Sequence, residues 1–431
     1  MNFGNAITDL REGNAIEDYQ FVFSTGDIID SLTVSGKAEN ALDKKTEKGI
    51  YVMLYSGSDD SLPLKMLPSY FSKTAGDGTF EIRNVAPGSY KVFALKDNNT
   101  NFLFDNPEET IAFNDEPVEA GHSAGTMRYF KERRDQQLLR AACDEPGYAT
   151  IIYARPLDKE KITFLSDTSG LQLYSVIAGE KRDTLNFWYR NLQGDSLNMI
   201  LQHGQAADTI SIRLKQYVGK TKSRAALALT TQFTSGSQNT LDLNKPVELL
   251  FNHPIDSFGF GNISVREDSL LVNDAKFYFT DTLKRNLVID FPRKEKTVYS
   301  INIYPSTFRD IFGLRNDTLL LTFRTKTLSD YGTMEVKLDP GTQKSNFIVQ
   351  LIDDKEKVYR QSFFHSDTTL NYDYLEPRIY RLKIIEDLNG NNEWDTGNYL
   401  QHLQPERVFY YQENLTVRAN WDVEVKWEVG K

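Results

Sequence analysis

Residues 80–105 read FEIRNVAPGSYKVFALKDNNTNFLFD, and residues 370–395 read LNYDYLEPRIYRLKIIEDLNGNNEWD. The two stretches align without a gap at a constant offset (387 − 97 = 290). Val85 falls on Leu375, Pro87 on Pro377, Tyr90 on Tyr380 and Phe104 on Trp394. Asp97, Asn99, Asn101 and Asp105 fall on Asp387, Asn389, Asn391 and Asp395. A unit carried twice this far apart marks a chain of several domains.

The unit reads as short strands joined by tight turns. Residues 32–36 and 50–55 alternate as strands do. Thr74-Ala75-Gly76-Asp77-Gly78-Thr79-Phe80 puts a glycine-rich turn before the next strand, with Asp77 and Gly78 expected at positive φ. Ala86-Pro87-Gly88-Ser89 predicts a type II turn, with Pro87 presetting φ and Gly88 taking the left-handed position. Beyond it Tyr90, Val92 and Ala94 face one way, and Lys91, Phe93 and Leu95 the other. This pattern predicts an antiparallel sandwich over residues 31–118, with a second, more divergent copy over 329–431. In that copy Arg378 stands where the turn glycine was, and Ser366-Asp367-Thr368 replaces the Gly-Asp-Gly turn.

The succession T-x-x-D-G-x-F, a strand, A-P-G-x-Y and A-L-K-D resembles the transthyretin-like, carboxypeptidase-regulatory-like β-sandwich domains of bacterial surface proteins. Residues 240–255 read as a strand, a turn and a longer strand with an Asn-His-Pro stop. Further strands at 287–291 and 298–303 lead past a loop at 310–316 to a closing strand at 319–325. This domain, residues 223–328, resembles the SbsA-type bacterial Ig-like domain. Residues 1–30 can be laid against 301–326, which predicts the tail of another Ig-like domain and a start that is a fragment or misassigned. Residues 119–222 hold short strand-like runs, from 148–153 to 208–214, and predict a further β-sandwich of undefined type. The expected fold class is therefore all-β, a tandem of antiparallel sandwiches of Ig-like and transthyretin-like kinds.

Composition agrees. With 40% hydrophobic residues, 22 Tyr and 26 Phe in 431 residues, the chain has apolar material for several cores. The formal charge of −10, with both signs interleaved, argues against nucleic acid, which needs a basic face. A single cysteine, Cys143, rules out an intrachain disulfide, and no His-paired site near it is readable for a catalytic thiol. No apolar run approaches membrane-spanning length and no signal peptide is visible.

The best chemical candidate is the duplicated D-x-N-x-N-x-x-x-D loop. Asp387, Asn389, Asn391 and Asp395, and Asp97, Asn99, Asn101 and Asp105, offer alternating oxygen side chains after a strand. Such a set suits a hard cation, and Ca²⁺ accepts six to eight oxygens. Gly390 eases the bend in the second copy, Glu108 and Glu109 lie near the first loop, and neither loop ends in the bidentate Glu of an EF-hand. The competing account is a turn whose Asp and Asn side chains cap their own backbone.

Gly121-His122-Ser123-Ala124-Gly125 matches the G-x-S-x-G elbow of α/β-hydrolases, but a polar, proline-bearing segment precedes it. A flexible linker is the expected reading. The five histidines (122, 203, 253, 365 and 402) show no metal-ligand spacing and are expected at the surface or in turns. The aromatics Trp394, Tyr399, Tyr410, Tyr411, Trp421 and Trp427 are expected mainly in the core.

The resemblance implies a non-enzymatic, secreted or cell-envelope protein that spaces, scaffolds or binds a surface protein or glycan, anchored through sequence upstream. The alternatives are an accessory part of a glycan- or peptide-processing enzyme, or a carbohydrate-binding module.

Overall fold

A computed structural model describes residues 7–16, 21–22, 29–133, 136–157, 161–165, 172–178, 182–190, 195–203, 206–215, 227–231, 233, 239–341 and 345–430. Within them the regular structure is nearly all strand, with helix confined to single short turns such as Leu62–Lys65. It is a tandem of antiparallel β-sandwiches, as the sequence predicts. The expected Ig-like tail at 1–30 falls partly outside the described residues. Its described part holds a bridge between Thr8 and Ala15 around an Asp9-centred turn. That turn has the same plan as the one around Asp310, bridged between Arg309 and Arg315.

The first sandwich places Leu32–Asn40 between Thr79–Val85 and Ser123–Tyr129 in one sheet. The facing sheet runs Tyr70–Lys73, Tyr51–Tyr55, Ser89–Lys96 and Thr110–Phe113, with Val118–Glu119 also pairing to Ser89–Lys96. The last sandwich repeats this plan strand for strand. Gly332–Asp339 lies between Thr368–Leu375 and Asp422–Glu428, opposite Val358–Phe364, Asn346–Ile352, Arg378–Asp387 and Val408–Tyr410. In both copies the central strand pairs parallel with the last one. In both, a bulge next to a residue at positive φ, Asn84 or Tyr374, bends the neighbouring strand.

The parallel partner moves the first boundary. Residues 121–125, expected as a flexible linker, lead into and begin the strand Ser123–Tyr129, so the first sandwich runs past residue 118. The Ser123 hydroxyl donates to the Ser35 carbonyl at 3.1 Å, a sheet-edge contact rather than a nucleophile elbow. Gly36 is required there, because a Cβ would meet the Gly125 carbonyl at 2.6 Å. Residues 126–142 divide between this strand and Leu138–Glu145 of the next sandwich.

Two turn assignments also change. Gly78 alone takes positive φ (+83°), while Asp77 caps the amide and hydroxyl of Thr79. Gly88 sits at φ +156°, near extended, so the turn is not type II. What holds this corner is the Tyr90 hydroxyl on the Ala86 carbonyl at 3.1 Å. Tyr380 bonds Glu376 in the same way at 3.0 Å, and Arg378 is tolerated because the corner needs no left-handed residue.

The second sandwich pairs Leu138–Glu145, Tyr148–Tyr153, Thr184–Arg190 and Gln172–Ala178 over Lys161–Phe164, Ser196–His203 and Ala206–Arg213. Cys143 is buried there, its sulfur 3.1 Å from the Tyr189 hydroxyl and accepting the Lys215 amide. The third closes Leu229–Thr231, Val247–Phe251, Asn286–Asp290 and Lys276–Phe279 over a sheet built on Val298–Ile303 and Leu319–Thr325. Each of the four has its own apolar core. Burying side chains such as Val34, Phe251 or Leu382 stabilises a sandwich by about 1.5–3 kcal/mol each.

Candidate functional site

The strand Ser89–Lys96 is buried on both faces, as is Arg378–Asp387. A sandwich alone buries one face of each sheet, so the outer faces of these two sheets must be covered. Loop segments do this, Leu62, Phe102, Phe104 and Phe130 of the first sandwich together with side chains that each sandwich sends to the other. Residues 396–405, where the first copy has only 106–108, cross from the last sandwich to the first. Tyr399 enters a cluster of Tyr55, Phe93, Ile111, Phe113 and Phe130, with its ring 5.3 Å from Phe93 and 5.2 Å from Phe113. Its hydroxyl donates to the Asp60 carbonyl at 2.5 Å and its amide to Glu132 at 2.6 Å. Gly397 passes so close to Phe130 that a Cβ would lie 2.5 Å from the ring. Alongside, Leu42 of the first sandwich packs on Ile348, Ile385 and Val408.

The two Asp/Asn loops flank this junction, and their geometry is closely matched. In the second loop Asp387 accepts the amides of Gly390 (2.8 Å), Asn391 (3.1 Å) and Asn392 (2.9 Å). In the first, Asp97 accepts those of Asn99 (3.1 Å), Thr100 (2.6 Å) and Phe102 (2.8 Å). Asn389 and Asn391 donate to Asp395 at 2.5 and 2.7 Å. Asn99 and Asn101 donate to Asp105 at 3.0 and 2.8 Å. Left-handed residues fall at matching places, Thr100 and Phe102 in one loop, Gly390 and Asn392 in the other. The structure thus brings each predicted set of four residues together.

Sequence reading missed Glu406 and placed Glu109 only near its loop. Glu406 is buried and accepts the Leu388 amide at 2.7 Å and the Asp395 amide at 2.9 Å. Glu109, also buried, accepts the equivalent amides of Asn98 and Asp105, both at 3.2 Å. Burial raises the Glu406 pKa, against the pull of those two amides. Trp394 is locked by its indole N–H on the Glu406 carbonyl at 3.1 Å. Arg133 of the neighbouring sandwich lies 3.1 Å from Asp395.

The charge and oxygen set of each loop fits a hard cation in donor type, with the carboxylates of Asp387 and Asp395 and the amide oxygens of Asn389 and Asn391. Those oxygens are also satisfied within the loop, so the turn is self-consistent as it stands. Among the described residues, no group of three or more His, Cys, Asp or Glu side chains has metal-holding geometry.

The remaining candidates separate. Trp427 and Tyr411 pack in and against the last core, Tyr410 donates to the Leu42 carbonyl at 3.2 Å, and Trp421 is exposed. His253, expected at the surface or in a turn, lies in the bend after Val247–Phe251 but is buried, with Nδ1 2.7 Å from Asp310. No helix among the described residues is long and apolar enough to cross a membrane.

No family model matches the chain, and no curated protein matches it. Solved structures with partial likeness include surface layer protein SbsC, domains 4–9, at 10% identity, covering 93% of this chain and 59% of that one with a TM-score of 0.23. Another is SGBP-B of the Bacteroides ovatus mixed-linkage glucan utilization locus, in complex with a mixed-linkage heptasaccharide. It has 10% identity, 94% and 99% coverage, and a TM-score of 0.19. The Escherichia coli adhesin FdeC has 12% identity, 71% and 100% coverage, and a TM-score of 0.16. At these scores neither a residue role nor an arrangement of modules carries across.

Proposed function

We propose that the chain is a non-enzymatic, secreted or cell-envelope protein. Its tandem sandwiches act as spacer, scaffold or binding modules, and calcium rigidifies its two Asp/Asn loops. The observation that carries this reading is the pair of loops. Two copies separated by 290 residues (387 − 97) keep the same four oxygen side chains, the same left-handed positions and the same buried glutamate. Calcium would be held by Asp387, Asn389, Asn391 and Asp395, and by Asp97, Asn99, Asn101 and Asp105. It would supply fixed positive charge between carboxylates and no reaction. The SbsA-type reading of residues 223–328 and the transthyretin-like reading of the first and last sandwiches rest on their motifs and on the duplicated strand plan.

The placement of the reactive groups supports a non-catalytic role. Ser123 and Cys143 both serve the sheets that hold them. A carbohydrate-binding role is favoured by one groove of about 800 Å³ on the last sandwich, lined by Tyr411, Trp427, Asp339 and Gln412.

The test is a thermal melt in excess EDTA and then in millimolar Ca²⁺, repeated for Asp387→Ala/Asp395→Ala. A ligand bound only by the folded state stabilises it by about 2.7 kcal/mol at a hundredfold excess over Kd. A calcium-dependent rise that the double variant abolishes supports the reading. An unchanged melting temperature removes calcium from it.

A further inference from the structure

Where the second sandwich meets the third, a cleft of about 350 Å³ is lined by Glu145, Tyr148, Trp188, Asn252, His253 and Arg285. His253 and Arg285 both have bonding capacity left over, and the charges that act on Arg285 are those of Asp281 and Tyr148 rather than Glu145. His253 is only 3% exposed, its Nδ1 is 2.7 Å from the Asp310 carboxylate, and its ring meets Phe312 edge-on. The Asp310 carboxylate also accepts the amides of Phe312 and Leu314, so it is an acceptor and fixes the proton of His253 on Nδ1. In the neutral ring Nε2 is then an acceptor, and it has no partner among the described residues.

Arg285 is the second. Its Nε donates to the Phe251 carbonyl at 3.0 Å, and its guanidinium carbon lies 4.5 Å from the centre of the Trp188 ring. Its two Nη groups make no hydrogen bond or ion pair with a described residue. Asp281 does not take them, since its carboxylate accepts the amides of Arg285 and Asn286. Burial lowers the Arg285 pKa, with Asp281 opposing, which marks a cation partly stripped of water.

A desolvated guanidinium with a free two-donor edge matches a carboxylate, bidentate and planar. An imidazole acceptor beside it calls for a hydroxyl donor. The Tyr148 ring offers an apolar face, and the cleft is of the size of a small ligand pocket. A carboxylate and a hydroxyl on one small ring describe an acidic sugar.

We propose that this cleft binds the carboxylate of a uronic sugar, with Arg285 holding the carboxylate and His253 Nε2 accepting a ring hydroxyl. The proposal rests on the binding-module reading above for its choice of ligand. It is independent of calcium, and the experiment is run in EDTA so that its failure leaves the loop result standing.

The full chain is titrated by calorimetry with galacturonate, galactose and acetyl-glycyl-glycine. Galacturonate is expected to bind, galactose to show no binding at the same concentrations, and the dipeptide to bind more weakly. Arg285→Gln is expected to weaken galacturonate at least about tenfold. Arg285→Lys keeps the charge over Trp188 but lacks the planar fork, and is expected to weaken it too, with an unchanged melting temperature as the control for folding. Equal binding of galactose, tighter binding of the dipeptide, no heat up to about 20 mM galacturonate, a Kd that saturates no useful fraction, or full binding by a folded Arg285→Lys would each overturn the proposal.

Discussion

The Glu406 carboxylate closes the loop that ends at Asp395, accepting the Asp395 amide at 2.9 Å while its other oxygen takes the Leu388 amide at 2.7 Å. One buried side chain therefore ties both ends of the eight-residue turn together. Glu406→Gln keeps the size but leaves one amide facing an N–H₂ group, and is expected to lose about 1–3 kcal/mol in urea denaturation. Glu109→Gln should lose a similar amount, because the same two contacts recur there. Neither change costing stability would show that the loops are held by their Asp side chains alone.

The same residue gives a pH signature. Burial, then the Asp395 and Asp387 carboxylates, lift the Glu406 pKa above its ordinary 4.5, while two amides oppose. The folded chain then binds this proton more tightly than the unfolded one. The stabilisation is complete below about 4.5 and is lost as pH rises through the raised folded value. Denaturation curves from pH 4 upward are expected to show that decline in the parent chain and a flatter profile in Glu406→Gln.

Tyr399 is the knob between the first and last sandwiches. Tyr399→Ala is expected to cost about 3–5 kcal/mol, as truncating a buried aromatic does. If the two sandwiches hold together through it, small-angle scattering will show a larger radius of gyration for that variant. Tyr399→Phe removes only the bond to the Asp60 carbonyl, about 1 kcal/mol, and should leave the dimensions unchanged. Unchanged dimensions for Tyr399→Ala would mean that the Leu42 contacts suffice.

Much of the fold was legible because the repeat and the strand period are local signals. Tyr148–Tyr153, Val298–Ile303 and Leu319–Thr325 stand at the predicted bounds. The four loop residues of each copy were legible for the same reason. What depended on distant partners was not. Phe93 and Leu95 look like core residues whether a sandwich or another module covers them, and nothing periodic marks residues 396–405 as the cover. Ser123–Tyr129 pairs parallel with a strand some ninety residues earlier (123 − 35 = 88), so its glycines read as a linker. Glu406 was hidden by the insertion, lying 19 residues after Asp387 (406 − 387), where Glu109 lies 12 after Asp97 (109 − 97).

The duplicated tyrosine corner offers a matched pair. Tyr90→Phe and Tyr380→Phe each delete one hydroxyl-to-carbonyl bond four residues upstream, at 3.1 and 3.0 Å. Each is expected to cost about 1 kcal/mol, measured by chemical denaturation. Arg378 lies 4.4 Å from the Tyr359 ring centre and 5.9 Å from that of Tyr380, contacts that Tyr380→Phe leaves in place. No loss at either site would show that the hydroxyl bond does not hold the corner.

Asp242 joins the third sandwich to the last through Lys326, which bonds it at 2.8 Å and Glu376 at 3.0 Å. Burial alone would raise the Asp242 pKa, but hydrogen bonds from Lys245, Lys326 and Tyr331 outweigh it and hold the value at about 2, below the ordinary 3.8. The unfolded chain therefore binds this proton more readily. The stabilisation is present above about pH 4 and is lost as pH falls through the folded value near 2. The drop from 3.8 to about 2 corresponds to about 2 kcal/mol, and the side chain is only 12% exposed, so solvent screens little of it. Asp242→Asn is expected to lose roughly that amount at neutral pH and to flatten the acid limb of the stability profile between pH 4 and 2. An acid limb as steep in the variant as in the parent would assign acid sensitivity to other carboxylates.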